Sequence, residues 1–297
     1  MCVEWNITSV FAEYGLSAEY FDLEYAGELS GLVINSAPWY TVRPPAWVQK
    51  SQQIDALIRY LHIYIDSGLP PVIGLPGHAV VAFGYVCSDQ RLVHRAGKII
   101  PASDFVEGLT INDDNVSPYQ KIFRQEREPE CWPYGNCLES VDGFIAPLPE
   151  KVFLSVDQAE RATEVIMARH IDEASLGDSQ LVRRMFCTSS KNYKLFRGSE
   201  EGEVTRTVVG QPLPHFLWVT EFIPVTQWQN RDKGKVVCME IVLDATAGMK
   251  DTNPFLWIRA PFGAKFNMQR MHGSGSVQSY GTALEPIRSF RGNHVPF

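Results

Sequence analysis

No window of this 297-residue chain holds the ~18 consecutive apolar residues that a membrane-spanning helix needs. The amino terminus, with Glu4, Trp5 and Asn6, also lacks the basic-then-apolar order of a secretion signal. A cytoplasmic protein that does not bind membranes is the resulting expectation. Positive charge is scarce too, with 27 Lys and Arg against 34 Asp and Glu giving a net charge of −7. Affinity for nucleic acid rests on neutralising phosphates with clustered Lys and Arg, and no such run exists, so no nucleic-acid partner is expected. Only six cysteines are spread over the chain, at 2, 87, 131, 137, 187 and 238, which fits reduced thiols. The close pair, Cys131 and Cys137, reads as a disulfide loop, half a metal site or an incidental pair, but zinc sites usually need a second close pair. There is no Gly-x-x-x-x-Gly-Lys-Ser/Thr loop, no His-Glu-x-x-His and no Gly-x-Ser-x-Gly. No cofactor and no metal are therefore called for.

What is present is a globular composition, 45% hydrophobic and 21% charged, long enough for one large or two medium domains. Val3, Ile7, Val10, Phe11 and Tyr14 recur at helical spacing, and Gly15 supplies a stop. Ala18 to Leu32 is acidic and aromatic, with helix expected in part. From Ser51, the residues Ile54, Leu57, Ile58, Leu61 and Tyr64 mark a second helix that ends at Gly68. The run from Pro71 to Tyr85 then reads as two short apolar strands, Val72-Ile73 and Ala79–Tyr85, turned at Pro76-Gly77, with Gly84 admitting a bulge. A polar excursion over 86–104 follows. Leu109 to Asn112 forms another strand, ending in Asp113, Asp114 and Asn115.

Residues 124–143 have no period, and Pro147 and Pro149 follow, which puts a domain boundary near 150. In the second half, Ser155 and Asp157 precede one helix, with a stripe from Ala159 to Ile171. The rest reads mostly as strands, with a long hairpin from Phe216–Ile223 and Lys235–Leu243 and a short strand at Phe255–Ile258. The stretch from Ala264 onward reads as loop. The expected class is α+β: helices plus an antiparallel sheet in residues 1–150, then a mostly β accessory region with one helix in 151–297.

Three residues fit thiol chemistry. Cys2 stands at the start of a helix, where the helix dipole favours a thiolate; His78 heads an apolar strand; and Asp113, or its neighbour Asp114, ends a following strand. A thiolate attacks a carbonyl, an imidazole moves the proton, and a carboxylate fixes the imidazole's tautomer. Each position also has a plainer reading: Cys2 as a terminal residue, His78 as a hydrogen-bonded core histidine, and Asp113, Asp114 and Asn115 as a turn. If Met1 is removed, Cys2 becomes the amino-terminal residue, and a self-activating amine and thiol is a further reading. His215 reads as a rim residue, Asp244 as a turn former, and Ser189 to Lys194 as a solvated polar and basic face.

The ordered set Cys2, Tyr14-Gly15-Leu16, Gly68-Leu-Pro-Pro-Val-Ile73, Gly77-His-Ala-Val-Val-Ala-Phe-Gly-Tyr85 and Asp113 resembles the papain-like cysteine peptidases over about residues 2–122. Within them it is most similar to the bacterial, bacteriocin-processing (double-glycine leader) peptidase branch. The resemblance implies a papain-like first half and a hydrolase acting on a peptide or protein substrate through Cys2, His78 and Asp113 or Asp114. The pattern departs from that family in four places, one of them the 35-residue span from His78 to Asp113, longer than the family's short hairpin, which makes the excursion over 86–104 an insertion. Only Met1 stands before Cys2, where the family carries an oxyanion-hole glutamine; Glu4 and Trp5 replace small residues; and Asp113 is followed by Asp-Asn rather than Pro. A non-catalytic papain-like scaffold, serving as a binding or regulatory module, is the alternative expectation.

Overall fold

The computed structural model describes residues 4–22, 32–34, 50–75, 78–93, 97–116, 118–125, 138–141, 143–172, 176, 179–199, 203–229, 236–248, 253–261, 263–267, 277–280 and 287–288. In chain order the first half runs α1 (Glu4–Glu13), β1 (Leu16–Asp22), β2 (Leu32–Ile34), α2 (Lys50–Asp66), β3 (Val72–Leu75) and β4 (His78–Cys87). It continues through β5 (Ile99–Pro101), β6 (Val106–Asn112), β7 (Gln120–Phe123) and β8 (Gly143–Pro149). The second half follows with α3 (Val156–His170), β9 (Leu181–Ser189), α4 (Ser190–Arg197), α5 (Glu203–Gly210), β10 (Phe216–Pro224) and α6 (Val225–Trp228). Last come β11 (Val236–Val237), β12 (Met239–Asp244), β13 (Phe255–Ala260), β14 (Gly263–Asn267), β15 (Val277–Tyr280) and β16 (Ile287–Arg288). Helices with largely antiparallel sheets make this an α+β chain, the class that the patterning predicts. Among the described residues no helix is long and apolar enough to cross a membrane.

The chain divides into two compact units. The first takes Met1–His94, Ala102–Glu150 and Ser155–Asp157; the second takes Arg95–Pro101, Lys151–Leu154 and Gln158–Phe297.

In the first unit α2 carries its apolar residues at intervals of three and four, and Leu57, Ile58, Leu61 and Tyr64 are all completely buried. Tyr64 meets Phe144 of β8 edge to face at 6.1 Å, and the Tyr60 hydroxyl donates to Asp157 at 3.1 Å. The helix stops where Gly68 takes a φ of +73° and the Leu69 N–H returns to the Tyr64 carbonyl. A left-handed glycine just past a helix closes it without the steric cost that a Cβ would bring.

The first unit's sheet has the order β2-β1-β8-β3-β4-β6-β7, with every neighbouring pair antiparallel. Four of its strands, β1, β2, β7 and β8, were not expected as strands, and two of them are instructive. Ala18 to Leu32 was expected to be helical in part, but its start lies in strand β1, Leu16–Asp22, which pairs along its full length with β8 from Leu16↔Pro149 to Asp22↔Gly143. Partnership with a strand more than 120 residues away outweighs local composition, which is the usual fate of a weak helix signal. β8 itself was obscured by Pro147 and Pro149. Proline belongs where no ladder bond is needed, and β3 pairs with β8 only over Gly143 to Ile145, so both prolines lie beyond the end of β3.

The second unit's sheet has the order β15-β14-β13-β12-β10-β9-β5. The long hairpin is present, with β10 and β12 antiparallel from Leu217↔Asp244 to Phe222↔Met239. Its edge strand β5 comes from the polar excursion between β4 and β6 and pairs parallel with β9, Ile99 opposite Leu181. One sheet face packs Phe186, Val219, Val242, Trp257 and Phe266 against Tyr193 of α4 and Val208 of α5. On the other, Thr163 of α3 reaches Thr220 at 3.5 Å and Arg183 donates to Glu160 at 2.9 Å.

This half holds more helix than the single one expected, since α4, α5 and α6 join α3. The polar segment at 189–194 starts a helix because the Ser189 oxygen accepts from the Asn192 N–H at 3.2 Å and caps it. Tyr193 in that segment is buried rather than solvated. The start of the stretch from Ala264 onward, expected as loop, belongs to β14, Gly263–Asn267, antiparallel to β13.

Candidate functional site

The site grows out of two antiparallel neighbours, β4 and β6. His78 is the first residue of β4 and lies opposite Leu75 of β3; Pro76 and Gly77 between them fall outside the described residues. Val81 pairs with Asn112, so the carboxyl end of β6 arrives beside the amino end of β4. The ladder slips between Ala82 and Gly84 and again between Val86 and Cys87, and at the first irregularity a Cβ on Gly84 would lie 3.4 Å from the Thr110 Cβ. The start of β6 is fixed by arginines. Arg124 donates to the carbonyls of Val106 at 2.6 Å and Ser103 at 2.9 Å and pairs with Asp55 of α2. Arg91 donates to the buried Asp104 at 3.1 Å.

Asp113 follows directly on β6, and its Oδ1 lies 2.8 Å from His78 Nε2. The Asp113 side chain is fully buried and that of His78 is 14% exposed. A buried carboxylate needs donors, and Oδ1 has two: the imidazole and the Asn115 backbone N–H at 2.9 Å. Asp114 differs in kind. Its Oδ1 is 3.9 Å from Nε2 and its side chain is 88% exposed, so water and salt screen most of its attraction. The structure thus brings His78, Asp113 and Asp114 together, but only Asp113 is bonded to the ring.

The nitrogen facing Asp113 is Nε2. With its hydrogen directed at the carboxylate, the ring has Nδ1 as its proton-accepting atom, a tautomer assigned from the contact rather than from an observed hydrogen. Cys2 lies outside the described residues, as do Cys131 and Cys137, and α1 is described from Glu4 onward. Of the other thiols, Cys187 is buried. Burial also pushes the Cys238 thiol up to about 11, and it points at the Phe222 carbonyl 3.3 Å away.

One atom each from His78, Asp113 and Asp114 lie within 4.8 Å of one another, the spread a metal ion would require. Asp113 Oδ1, however, already accepts two hydrogens, which makes a His–Asp pair the direct description.

Sequence reasoning assigned Asn115 to the turn alone, yet its side-chain Nδ2 is 3.5 Å from His78 Nε2. It also missed a buried ionic row in the second unit. Arg184, Glu221, Glu240 and Arg259 stand opposite one another across β9, β10, β12 and β13, and all four are buried. Arg197 of α4 joins Glu221 at 3.1 Å and Glu240 at 2.5 Å, and the Tyr193 hydroxyl donates to Glu240 at 2.6 Å. The signal was available as charges lodged inside four otherwise apolar runs, Val-Arg-Arg-Met-Phe, Val-Thr-Glu-Phe-Ile, Met-Glu-Ile-Val and Trp-Ile-Arg-Ala.

His215 is exposed at the start of β10, its ring against Phe216. Asp244 forms a turn, accepting from the Thr246 N–H at 2.8 Å. No family model, no curated protein and no solved structure matches this chain.

Proposed function

We propose that the first unit is a papain-like thiol hydrolase acting on a peptide or related amide bond, with Cys2 as nucleophile, His78 as base and acid, and Asp113 as the residue that orients the ring. The observation that carries this reading is the 2.8 Å contact between His78 Nε2 and a carboxylate completely removed from solvent. A buried acceptor on one ring nitrogen fixes the tautomer and leaves Nδ1 for proton transfer, which is the requirement for activating a thiol.

In the reaction Nδ1 takes the Cys2 proton and the thiolate attacks the substrate carbonyl, forming a carbon–sulfur bond. The imidazolium returns the proton to the departing amine as the carbon–nitrogen bond breaks. A water molecule, deprotonated by the same nitrogen, then cleaves the thioester and restores the thiol. Asp113 stabilises the imidazolium throughout without itself changing protonation. Asp114 adds a weak, solvent-screened attraction for the same cation.

The test is the rate of alkylation by iodoacetamide at pH 7, read cysteine by cysteine with mass spectrometry. Cys2 is expected to react at least ~10-fold faster than the other five thiols, and His78→Ala to remove that advantage. If Cys2 reacts like the others and His78→Ala changes nothing, the hydrolase reading fails and the non-catalytic scaffold takes its place.

A further inference from the structure

The Asp113 carboxylate approaches His78 Nε2 at 2.8 Å and the Asn115 side-chain amide approaches it at 3.5 Å. They make opposite demands as placed, since the carboxylate accepts a hydrogen and the amide NH2 offers one. The ionised, shorter partner wins, because hydrogen bonds to a charged acceptor are roughly twice as strong as neutral ones. The hydrogen therefore sits on Nε2. An NH2 group facing that N–H sets donor against donor, and a half-turn of the terminal amide torsion removes the conflict by presenting the Asn115 oxygen instead.

The backbone makes this more than a surface contact. Asn115 lies in the turn that follows β6, three residues past the Val81↔Asn112 pair. The Asn115 N–H holds Asp113 Oδ1, the same oxygen that receives the imidazole. Asp113 grips the ring from its buried side and Asn115 from its solvent side, against the outward pull of the exposed Asp114 at 3.9 Å.

We infer that Asn115 is a positioning residue whose side-chain oxygen is the second acceptor for the Nε2 hydrogen of His78 and keeps the ring on Asp113. The consequence for reaction rate rests on the proposed role of His78 as a base; the contact itself does not.

The experiment uses the full chain with 15N-labelled histidine and reads the ring-nitrogen shifts of neutral His78, which report the ratio of its two tautomers. Wild type is expected to carry the hydrogen on Nε2. Asn115→Ala, which keeps the backbone N–H to Asp113, is expected to raise the Nδ1–H fraction about threefold, the effect of one modest hydrogen bond. Asn115→Asp, which retains an oxygen acceptor, is expected to restore the wild-type ratio, and Asp113→Asn serves as the positive control. The inference is overturned if Asn115→Ala leaves the ratio unchanged while Asp113→Asn shifts it, or if the Ala and Asp variants shift it equally. Because the readout needs no reaction at Cys2, a failure of the hydrolase reading shows only in the alkylation assay, and a failure here shows only in the tautomer ratio.

Discussion

Replacing Glu240 by Gln tests the energetics of the second unit most directly. The Glu240 carboxylate is 1% exposed and accepts from Arg197 at 2.5 Å, the Tyr193 hydroxyl at 2.6 Å and Trp257 Nε1 at 3.5 Å. An amide keeps one acceptor and turns the other position into a donor, so either Arg197 or Tyr193 faces an N–H. Arg197 retains Glu221 at 3.1 Å, but the row loses one of its two buried negative charges while Arg184, Arg197 and Arg259 stay. A lost charge-assisted bond costs about 1.5–3 kcal/mol and an uncompensated buried donor about 1–3 kcal/mol. The expected destabilisation is about 3–5 kcal/mol, the range for breaking a buried ion pair from one side. The assay is urea unfolding followed by hydrogen exchange at the amides of β10 and β12, which isolates this unit from the other. A double-mutant cycle with Arg197→Met should show a coupling of about 2 kcal/mol or more. A loss below about 1 kcal/mol, or additive single effects, would refute the reasoning and make the row a set of independently solvated charges.

Alkaline pH acts on the same unit. Burial raises the Cys238 thiol from 9.0 to about 11, and burial with the neighbouring Glu240 raises the Tyr193 phenol well above 10.0. Both groups stay protonated in the folded chain after the unfolded chain has lost the proton, so stability is full below pH 9 and falls above it. The slope approaches about 1.4 kcal/mol per pH unit for each group, and Cys238→Ala should remove the loss that sets in from pH 9 while leaving the Tyr193 share above pH 10. Gly108→Ala should destabilise the first unit by about 1–3 kcal/mol in thermal unfolding, because a Cβ there lies 2.5 Å from the Ile122 carbonyl oxygen. A fragment of residues 151–297 lacks β5 and exposes the edge of β9. It should aggregate on size-exclusion chromatography, and fusing residues 95–101 back in should restore a soluble species.

Much of the first unit is legible because its signals are local. The α2 stripe, the Gly68 stop, the apolar runs of β3 and β4 and the end of β6 at Asn112 each arise within a dozen residues. The partnerships are not local. Nothing near Leu16 says that it will pair with Pro149, and nothing near Pro147 says that β3 ends before reaching it. At the site, residue types suggested His78 and Asp113, but the approach of Asn115 to His78 depends on β6 ending beside the start of β4, which no periodicity carries. The ionic row was concealed differently: a charge inside an apolar run reads as a blemish until four such runs lie side by side.

The edge strand β5 has a consequence in time. Its partner in the sheet, Leu181, follows Ile99 by 82 residues (181 − 99), and the sheet cannot be completed before β9 has been made. At synthesis rates of about 5–20 residues per second, β5 waits roughly 4–16 seconds for that partner. The second unit is therefore not the product of the second half of translation alone, because its last hydrogen-bonded row depends on a strand made before the intervening residues emerge. Closing so long a loop also slows refolding from denaturant more than stability alone would suggest, since its entropy must be lost before the pairing contributes.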